Sequence, residues 1–580
     1  MTDKPGQSGI ARYAIPLAGL SLILVVAPLF FSTSMRDVFT LSKSLPISVG
    51  VAATWIWLAF KGKASLRKAM TPAVLAVAAS IMVSSYFSVD IPMSVFGPHQ
   101  QQFYAILPLL LCALVYYASA NSSGIPPTAM VTMALLGGGL VSVLALSQVG
   151  GEGFMPWSIQ GGRAGSTFGS PIFLGTYLSM LLPLAWTRRP DSGWPRITFR
   201  ADLILISIGI IATRSVGSMV AAISGILLIE YVRSNNKRAI RIALLAVPVV
   251  AAIIYLRKHS VDGNILQSNS GRIEIWKIAI EAWKSHPVLG WGPDTFSLAF
   301  RQFMTQRYID ASNGNDKFIQ LGAHNDILQV LSTMGAVGMA AYLFMVSGAI
   351  KLIRAAMRTE PEAIGIAGSL MAMFVSAKFN PVPLSVMAVA ACLLGSLDRF
   401  EAKDRSGSII PAGMAPAIAS VALVFIFGTM CNAERHQRMG ENLTQTGHPV
   451  EAAEEFNKAA QINPFDMWYT QRQADYLWSL IPIYGPEARK GIAVASLSIS
   501  RRGIAYHPND ATSHEVRSIS LQVASDISGL DFMDDSYREI KIAEMLAPRF
   551  STYSARRKEI ELAIRRRQSR LDGHGNPMEI

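Results

Sequence analysis

Residues 258–326 read KHSVDGNILQSNSGRIEIWKIAIEAWKSHPVLGWGPDTFSLAFRQFMTQRYIDASNGNDKFIQLGAHND. The interval is polar, long apolar segments flank it, and His324-Asn325 closes it at the mouth of the next apolar run. Apolar runs of about 20 residues match the roughly 30 Å hydrocarbon core of a bilayer. Such an interval therefore reads as a loop held at a membrane surface, and the flanking sequence decides which surface.

The chain has 580 residues, of which 51% are hydrophobic and only 16% charged. Its mean hydropathy is +0.33. That is too apolar for a soluble globular protein. In lipid only helices or closed barrels satisfy the backbone, and no barrel-type alternation is present. The expected class is all-α, a polytopic membrane helix bundle. The net charge of +13 follows from cationic inner loops and anionic headgroups. Without a recognition motif it implies no nucleic-acid partner. Cys112, Cys392 and Cys431 lie in or beside apolar runs, so neither a disulfide framework nor a zinc site is expected. The first apolar run lacks an A-x-A-like cleavage site and reads as a retained helix.

About 13 spans are predicted, near 13–32, 45–60, 69–88, 104–119, 128–149, 172–186, 201–213, 217–233, 241–256, 327–350, 362–378, 383–397 and 409–430. The connectors 61–68, 188–200, 233–241, 351–358 and 399–405 are rich in Lys and Arg, which places them inside. The connector 120–127 is neutral. The result is an N-in, C-out topology with 90–103, 150–171 and 258–326 outside, together with the turns at Arg214 and Asn380-Pro-Val-Pro383. Residues 1–431 form the expected membrane domain, and 258–326 its outer catalytic loop.

From Asn432 to Ile580 the composition becomes that of a soluble helical domain. Turns at Asn463-Pro464-Phe465-Asp466, His507-Pro508-Asn509-Asp510 and Ala547-Pro548-Arg549-Phe550 punctuate it. Ala452, Phe456 and Ala459 share one helical face. This resembles irregular tetratricopeptide (TPR-like) repeats, which stack to share a core and bind partners. A non-repeating helical bundle is the alternative. The end, Arg565 to Ile580, reads as a frayed tail.

Arg272 to Lys284 is amphipathic, with Ile273, Trp276, Ile280 and Trp283 on one face. It is expected to lie in the plane of the outer leaflet. Arg272 would then sit near lipid phosphates, as a phosphate binder or simply as a snorkelling anchor. His324 precedes a helix that Asn325 and Asp326 can cap. Its imidazole is a candidate base, or else a plain polar cap. Arg163 and Arg214 lie outside, where cationic inner loops do not explain them. Convergence of Arg163, Arg214 and Arg272 beside His324 would make a pyrophosphate pocket with a base. The outer carboxylates Asp90, Glu152, Asp294 and Asp310 are scattered, so metal-free chemistry with no cofactor is expected.

His324-Asn-Asp-Ile-Leu328 with Gly335-Ala-Val-Gly338 resembles the H-N-x-x-L … G-x-x-G signature of the bacterial O-antigen ligase and polymerase family. Arg272, Trp276, Pro287, Gly290 and Gly292 match its R-x-x-x-W … P-x-x-G-x-G pattern. Arg163-Ala-Gly-Ser-Thr-Phe-Gly-Ser-Pro171 is similar to its R-x-x-G-T-F-x-N-P stretch. The resemblance covers about 160–340 and implies a GT-C-like bundle in the bacterial inner membrane. It implies a donor, an undecaprenyl-diphosphate-linked glycan, and an acceptor hydroxyl on the outer face belonging to lipid A core, a protein or another glycan. Arg272 would bind pyrophosphate, supported by Trp276 and Asn325, and His324 would activate the acceptor. Two positions depart from the family: Val216 stands where an Arg is usual, with Arg214 nearby, and Thr333 where a Glu often stands.

Two other classes compete. A secondary transporter of anionic solutes would show deep charges and repeated hydropathy, which are not evident here. A scaffold working through its repeats alone would need one span, not many.

Overall fold

The computed structural model describes residues 13–62, 64–66, 68–99, 104–149, 162–188, 194–233, 237, 241–242, 265–398 and 413–571. All but the first two residues of the predicted span 241–256, the connector 399–405, the loop 150–161 with Glu152, the loop start 258–264 and the ends 1–12 and 572–580 lie outside the described residues.

No strand occurs among the described residues. In chain order the helices are α1 (Ala14–Leu29), α2 (Leu41–Lys61), α3 (Thr71–Tyr86), α4 (Ile91–Phe96), α5 (Ile106–Asn121), α6 (Pro127–Val149), α7 (Pro171–Thr187), α8 (Trp194–Ala212) and α9 (Val216–Val232). The polar interval contributes α10 (Ile265–Ser285), α11 (Phe296–Phe303) and α12 (Gln306–Ala311). Then follow α13 (Asp326–Ala356), α14 (Ala363–Ser376), α15 (Leu384–Leu397) and α16 (Met414–Gln445). Four of these, α2, α6, α13 and α16, are long and apolar enough to cross a membrane. Eight shorter apolar helices accompany them, so each predicted span within the described residues is a helix. Leu75, Met82, Ile204, Leu343 and Phe344 are among the large apolar side chains left exposed on these helices, a surface suited to lipid rather than water.

Close helix contact is set by small residues, as in membrane bundles generally. A Cβ on Gly225 would lie 2.3 Å from the carbonyl oxygen of Gly368, which is how α9 and α14 come together. Lys43, expected in a loop, is instead buried at the start of α2. Its ammonium donates to the carbonyls of Ala27, Pro28 and Phe30 at 3.2, 2.9 and 2.6 Å. It thereby satisfies the end of α1, where helical carbonyls lack internal partners.

The composition break at 432 falls inside α16, which runs unbroken from Met414 to Gln445. Beyond it come α17 (Pro449–Ile462), α18 (Met467–Leu480), α19 (Pro486–Tyr506), α20 (Ala511–Ser528), α21 (Met533–Leu546) and α22 (Ser551–Leu571). Each packs on its chain neighbour. The three Pro-containing turns share one backbone form, with φ/ψ of −126°/76° at Asn463, −130°/64° at His507 and −142°/72° at Ala547. All three meet the segments 90–99 and 301–316. Phe465 stacks on Phe96 at 4.8 Å and Asp466 bonds His99 at 2.9 Å. His507 bonds Asp90 at 2.7 Å, Asp510 pairs with Arg301, and the Ser551 N–H donates to Asp316 at 2.6 Å.

The amphipathic stretch is apolar on two sides, not one. Ile275, Ile278 and Ala279 are buried in a cluster with Phe300, Tyr308, Ile540 and Phe550. On the predicted face Ile273 and Ile280 are exposed, and Trp276 and Trp283 half-buried. Periodicity picked out the aromatic face; α21 and the turn after it cover the other.

Candidate active site

The site rests on a broken helix. Within α13, Gly335 takes φ 63° and ψ −160°, a conformation that in practice only glycine adopts. The break releases backbone groups that need partners, and the segment 287–292 supplies them. Trp291 N–H donates to Ser332 O at 3.0 Å and Gly292 N–H to Thr333 O at 2.8 Å. Ala336 and Val337 N–H donate back to Pro287 and Val288 O at 2.9 and 3.1 Å. The Ser84 hydroxyl of α3 donates to Leu289 O at 2.7 Å. Only glycines allow this approach: a Cβ on Gly335 would lie 2.3 Å from Val288 O, and one on Gly290 2.3 Å from the Thr333 carbonyl carbon. The P-x-x-G-x-G and G-x-x-G stretches are therefore two halves of one joint. The Trp291 indole N–H reaches Ala282 O at 3.0 Å, which clamps the end of α10. The joint thus ties the helix bearing Arg272 to the helix that His324 precedes.

His324 sits just before α13 with φ 52°. Asn325 caps that helix, its side-chain oxygen accepting from Ile327 and Leu328 N–H at 3.0 and 3.2 Å. The Asp326 carboxylate is occupied by the Lys378 ammonium at 2.5 and 2.7 Å and by the Tyr342 hydroxyl at 2.5 Å. The imidazole belongs to a separate chain of hydrogen bonds. The Tyr308 hydroxyl donates to Phe318 O at 3.2 Å and accepts from Gln320 Nε2 at 2.9 Å. Gln320 Oε1 then faces His324 Nε2 at 3.0 Å and can only accept. By this network the proton sits on Nε2 and the lone pair on Nδ1. Nδ1 is buried and has no hydrogen-bond partner among the described residues. Burial, and then the Arg272 charge, push the ring down to about 4, so it is neutral at pH 7. A crevice of about 10 Å³ beside it, bordered by Tyr104, Asp294, Leu321, Asp326 and Asn380, has room for about one water-sized oxygen.

Arg272 acts electrostatically on His324. Arg163 donates from Nε to Thr213 O at 3.0 Å, and the exposed Arg214 lies over Gly162, where a Cβ would meet Nη1 at 3.3 Å. Arg163 and Arg214 therefore meet at the turn between α8 and α9. Gly217, beside that turn, abuts Phe379 and Asn380, and Asn380 borders the His324 crevice. Val216 opens α9. Thr333 is buried in the joint, its hydroxyl donating to Gln329 O at 2.6 Å. Trp276, one turn from Arg272, is half-buried, and its indole nitrogen has no partner among the described residues.

Sequence reasoning missed Tyr308 and Gln320, which belong to no motif; the one signal was Gln320 four residues ahead of His324. Asp294, read as a stray carboxylate, accepts the Tyr104 and Ala105 N–H groups at 2.9 and 3.0 Å and so caps α5. Among the described residues no three His, Cys, Asp or Glu side chains are grouped as metal ligands.

Residues 202–343 match the family model of the O-antigen ligases. A comparison with curated proteins found no match. The matched stretch contains Arg214, Arg272, Trp276, His324, Asn325 and both halves of the joint; Arg163 lies before it. The apolar helices mark a membrane protein. Over residues 202–343 the chain is similar to the O-antigen ligase family, whose members are glycosyltransferase-like ligases and polymerases.

Proposed function

We propose that this protein transfers a glycan from undecaprenyl diphosphate to an acceptor hydroxyl at the outer face of the bacterial inner membrane. The acceptor oxygen attacks the anomeric carbon, the bond from that carbon to the phosphate oxygen breaks, and the acceptor proton passes to His324 Nδ1. Arg272 takes the charge that builds on the departing diphosphate, and Arg163 and Arg214 extend the cationic rim toward the lipid. One displacement inverts the anomeric centre, and no metal or cofactor is needed. The C-terminal domain, read as TPR-like, lies outside and presents or recruits the acceptor or a protein partner.

The observation that carries this reading is the neutral imidazole whose free nitrogen is buried within the electrostatic reach of Arg272. The same chemistry serves a lipid A core acceptor, a growing polysaccharide or a protein Ser or Thr. Mass spectrometry of surface glycolipids and glycoproteins from cells with the wild-type chain and with His324→Ala tests it. A glycan-bearing acceptor should disappear in the variant; an unchanged glycoprofile would rule the reading out.

A further inference from the structure

The segment 312–325 carries Gln320 and His324 yet has no helix of its own. An irregular stretch of that length keeps one conformation only through contacts with its surroundings. His324 adds to the demand, because its φ of 52° is a left-handed backbone that a non-glycine residue keeps only when its neighbours impose it. On the C-terminal side α13 does so, through the Asn325 cap and through Gln329, whose Oε1 accepts from the Ala323 N–H at 2.8 Å. On the N-terminal side the support comes from the far end of the chain.

That support is the last helical hairpin, α21 and α22. Tyr308 and Ala323 lie in one apolar core with Ile540, Ala543, Phe550 and Ile560, and all six are buried. The helix that bears Arg272 enters the same core through Ile275 and Ile278. Two polar contacts fix how the parts meet. The Asp316 carboxylate, within the irregular segment, accepts from the Ser551 N–H at 2.6 Å and so caps α22 from a distant part of the chain. The first N–H groups of a helix lack internal partners, and its dipole favours a negative charge there. Arg301, in the last turn of α11, donates to the Thr512 hydroxyl at 2.8 Å besides pairing with Asp510.

We propose that Phe550 and Asp316 are positioning residues: through them the C-terminal hairpin completes the core of the polar interval and holds the chain before His324 in the form that transfer uses. The C-terminal domain is then part of the frame of the active site, beyond any recruiting role. The effect on transfer rests on the proposed transferase reading; the effect on the segment 308–324 does not.

The test compares full-length variants in two readouts: amide exchange at 308–324 in nanodiscs, and the glycan-bearing acceptor formed in cells per amount of chain in the membrane. Ile499→Ala is the control, since Ile499 lies in a separate core of the same domain with Met467, Ala474 and Val516. A displacement of about 1 Å at a reacting group can cost about 10²-fold in rate. Phe550→Ala should therefore speed exchange at 308–324 and lower transfer by about tenfold or more, while Ile499→Ala leaves both within about twofold of wild type. Asp316→Ala should lower transfer by about threefold, the loss of one hydrogen bond, and Asp316→Asn should restore it, because its side-chain oxygen still accepts. Unchanged exchange at 308–324 in Phe550→Ala, or an equal loss of transfer in Ile499→Ala, would overturn the proposal. If Phe550→Ala does not fold, the Asp316 pair decides, and full transfer by Asp316→Ala overturns it. Faster exchange in Phe550→Ala with no transfer by any chain, the wild type included, would refute the transferase reading and leave the hairpin's hold on the segment in place.

Discussion

Arg272 and His324 meet electrostatically above the joint: the guanidinium charge lowers the proton affinity of an imidazole already depressed by burial. Backbone hydrogen bonds between 287–292 and the broken α13 tie together the segments that carry the two residues. A base held so low is weak until something offsets the neighbouring cation. A diphosphate paired with Arg272 would do so.

That gives a pH signature. The neutral ring accepts a proton and the protonated ring cannot, so activity falls as pH drops through the imidazole value. In kcat/KM, which reports the free enzyme, the acid limb should lie near pH 4. In kcat, with donor bound, it should move to higher pH. Coincident limbs in the two profiles would show that the donor does not neutralise Arg272.

The relay from Tyr308 through Gln320 fixes which nitrogen is free. Gln320→Ala removes the acceptor that holds the proton on Nε2, a hydrogen bond worth about 0.5–1.5 kcal/mol. The turnover should fall by about 2- to 13-fold, with donor KM unchanged and the melting temperature nearly so. Tyr308→Phe should act in the same direction more weakly. A full-rate Gln320→Ala protein would show that the tautomer is set elsewhere.

Gly335→Ala should disrupt the joint. The added Cβ meets a backbone oxygen at 2.3 Å and the conformation itself costs about 1–3 kcal/mol in a non-glycine residue. Lower melting temperature and loss of transfer should appear together. A stable Gly335→Ala protein with full activity would mean that the α13 break does not position His324.

Much of this was legible. Apolar runs located the helices, though the last runs 15 residues past its predicted end, to Gln445, and Arg272, Pro287, Gly290, His324 and Gly335 were visible as motif positions. The reason for the glycines was not, because backbone hydrogen bonds between distant segments leave no periodic trace. Nor was the relay, since Tyr308 and Gln320 sit in irregular polar sequence. Convergence of three arginines on His324 was expected; the structure brings Arg163 and Arg214 to one turn and Arg272 within electrostatic reach of the imidazole. The Pro turns were read as repeat punctuation, and their histidine and aspartate contacts with Asp90, His99 and Arg301 required the tertiary fold.

Those contacts carry a second pH dependence of opposite sign. Burial disfavours the charged His507 ring, but the Asp90 carboxylate outweighs it and holds the ring above its ordinary value. A raised imidazole stabilises docking fully below about pH 6.5, and that contribution is lost as pH rises through the folded-state value. Amide exchange at 507–512 should therefore be slower at pH 6 than at pH 9 after correction for intrinsic rates. His507→Gln should abolish the difference. Protection independent of pH in the wild type would contradict the assignment.

The most direct measurement is in vitro transfer from an isoprenoid-diphosphate-linked glycan by purified full-length wild type, His324→Ala, Arg272→Ala and the double variant. Removing the base should lower kcat by about 10² to 10⁴. Arg272→Ala should lower it comparably, and the double variant should lose less than the product of the two. A His324→Ala protein that transfers glycan at the wild-type rate would contradict the mechanism at its centre.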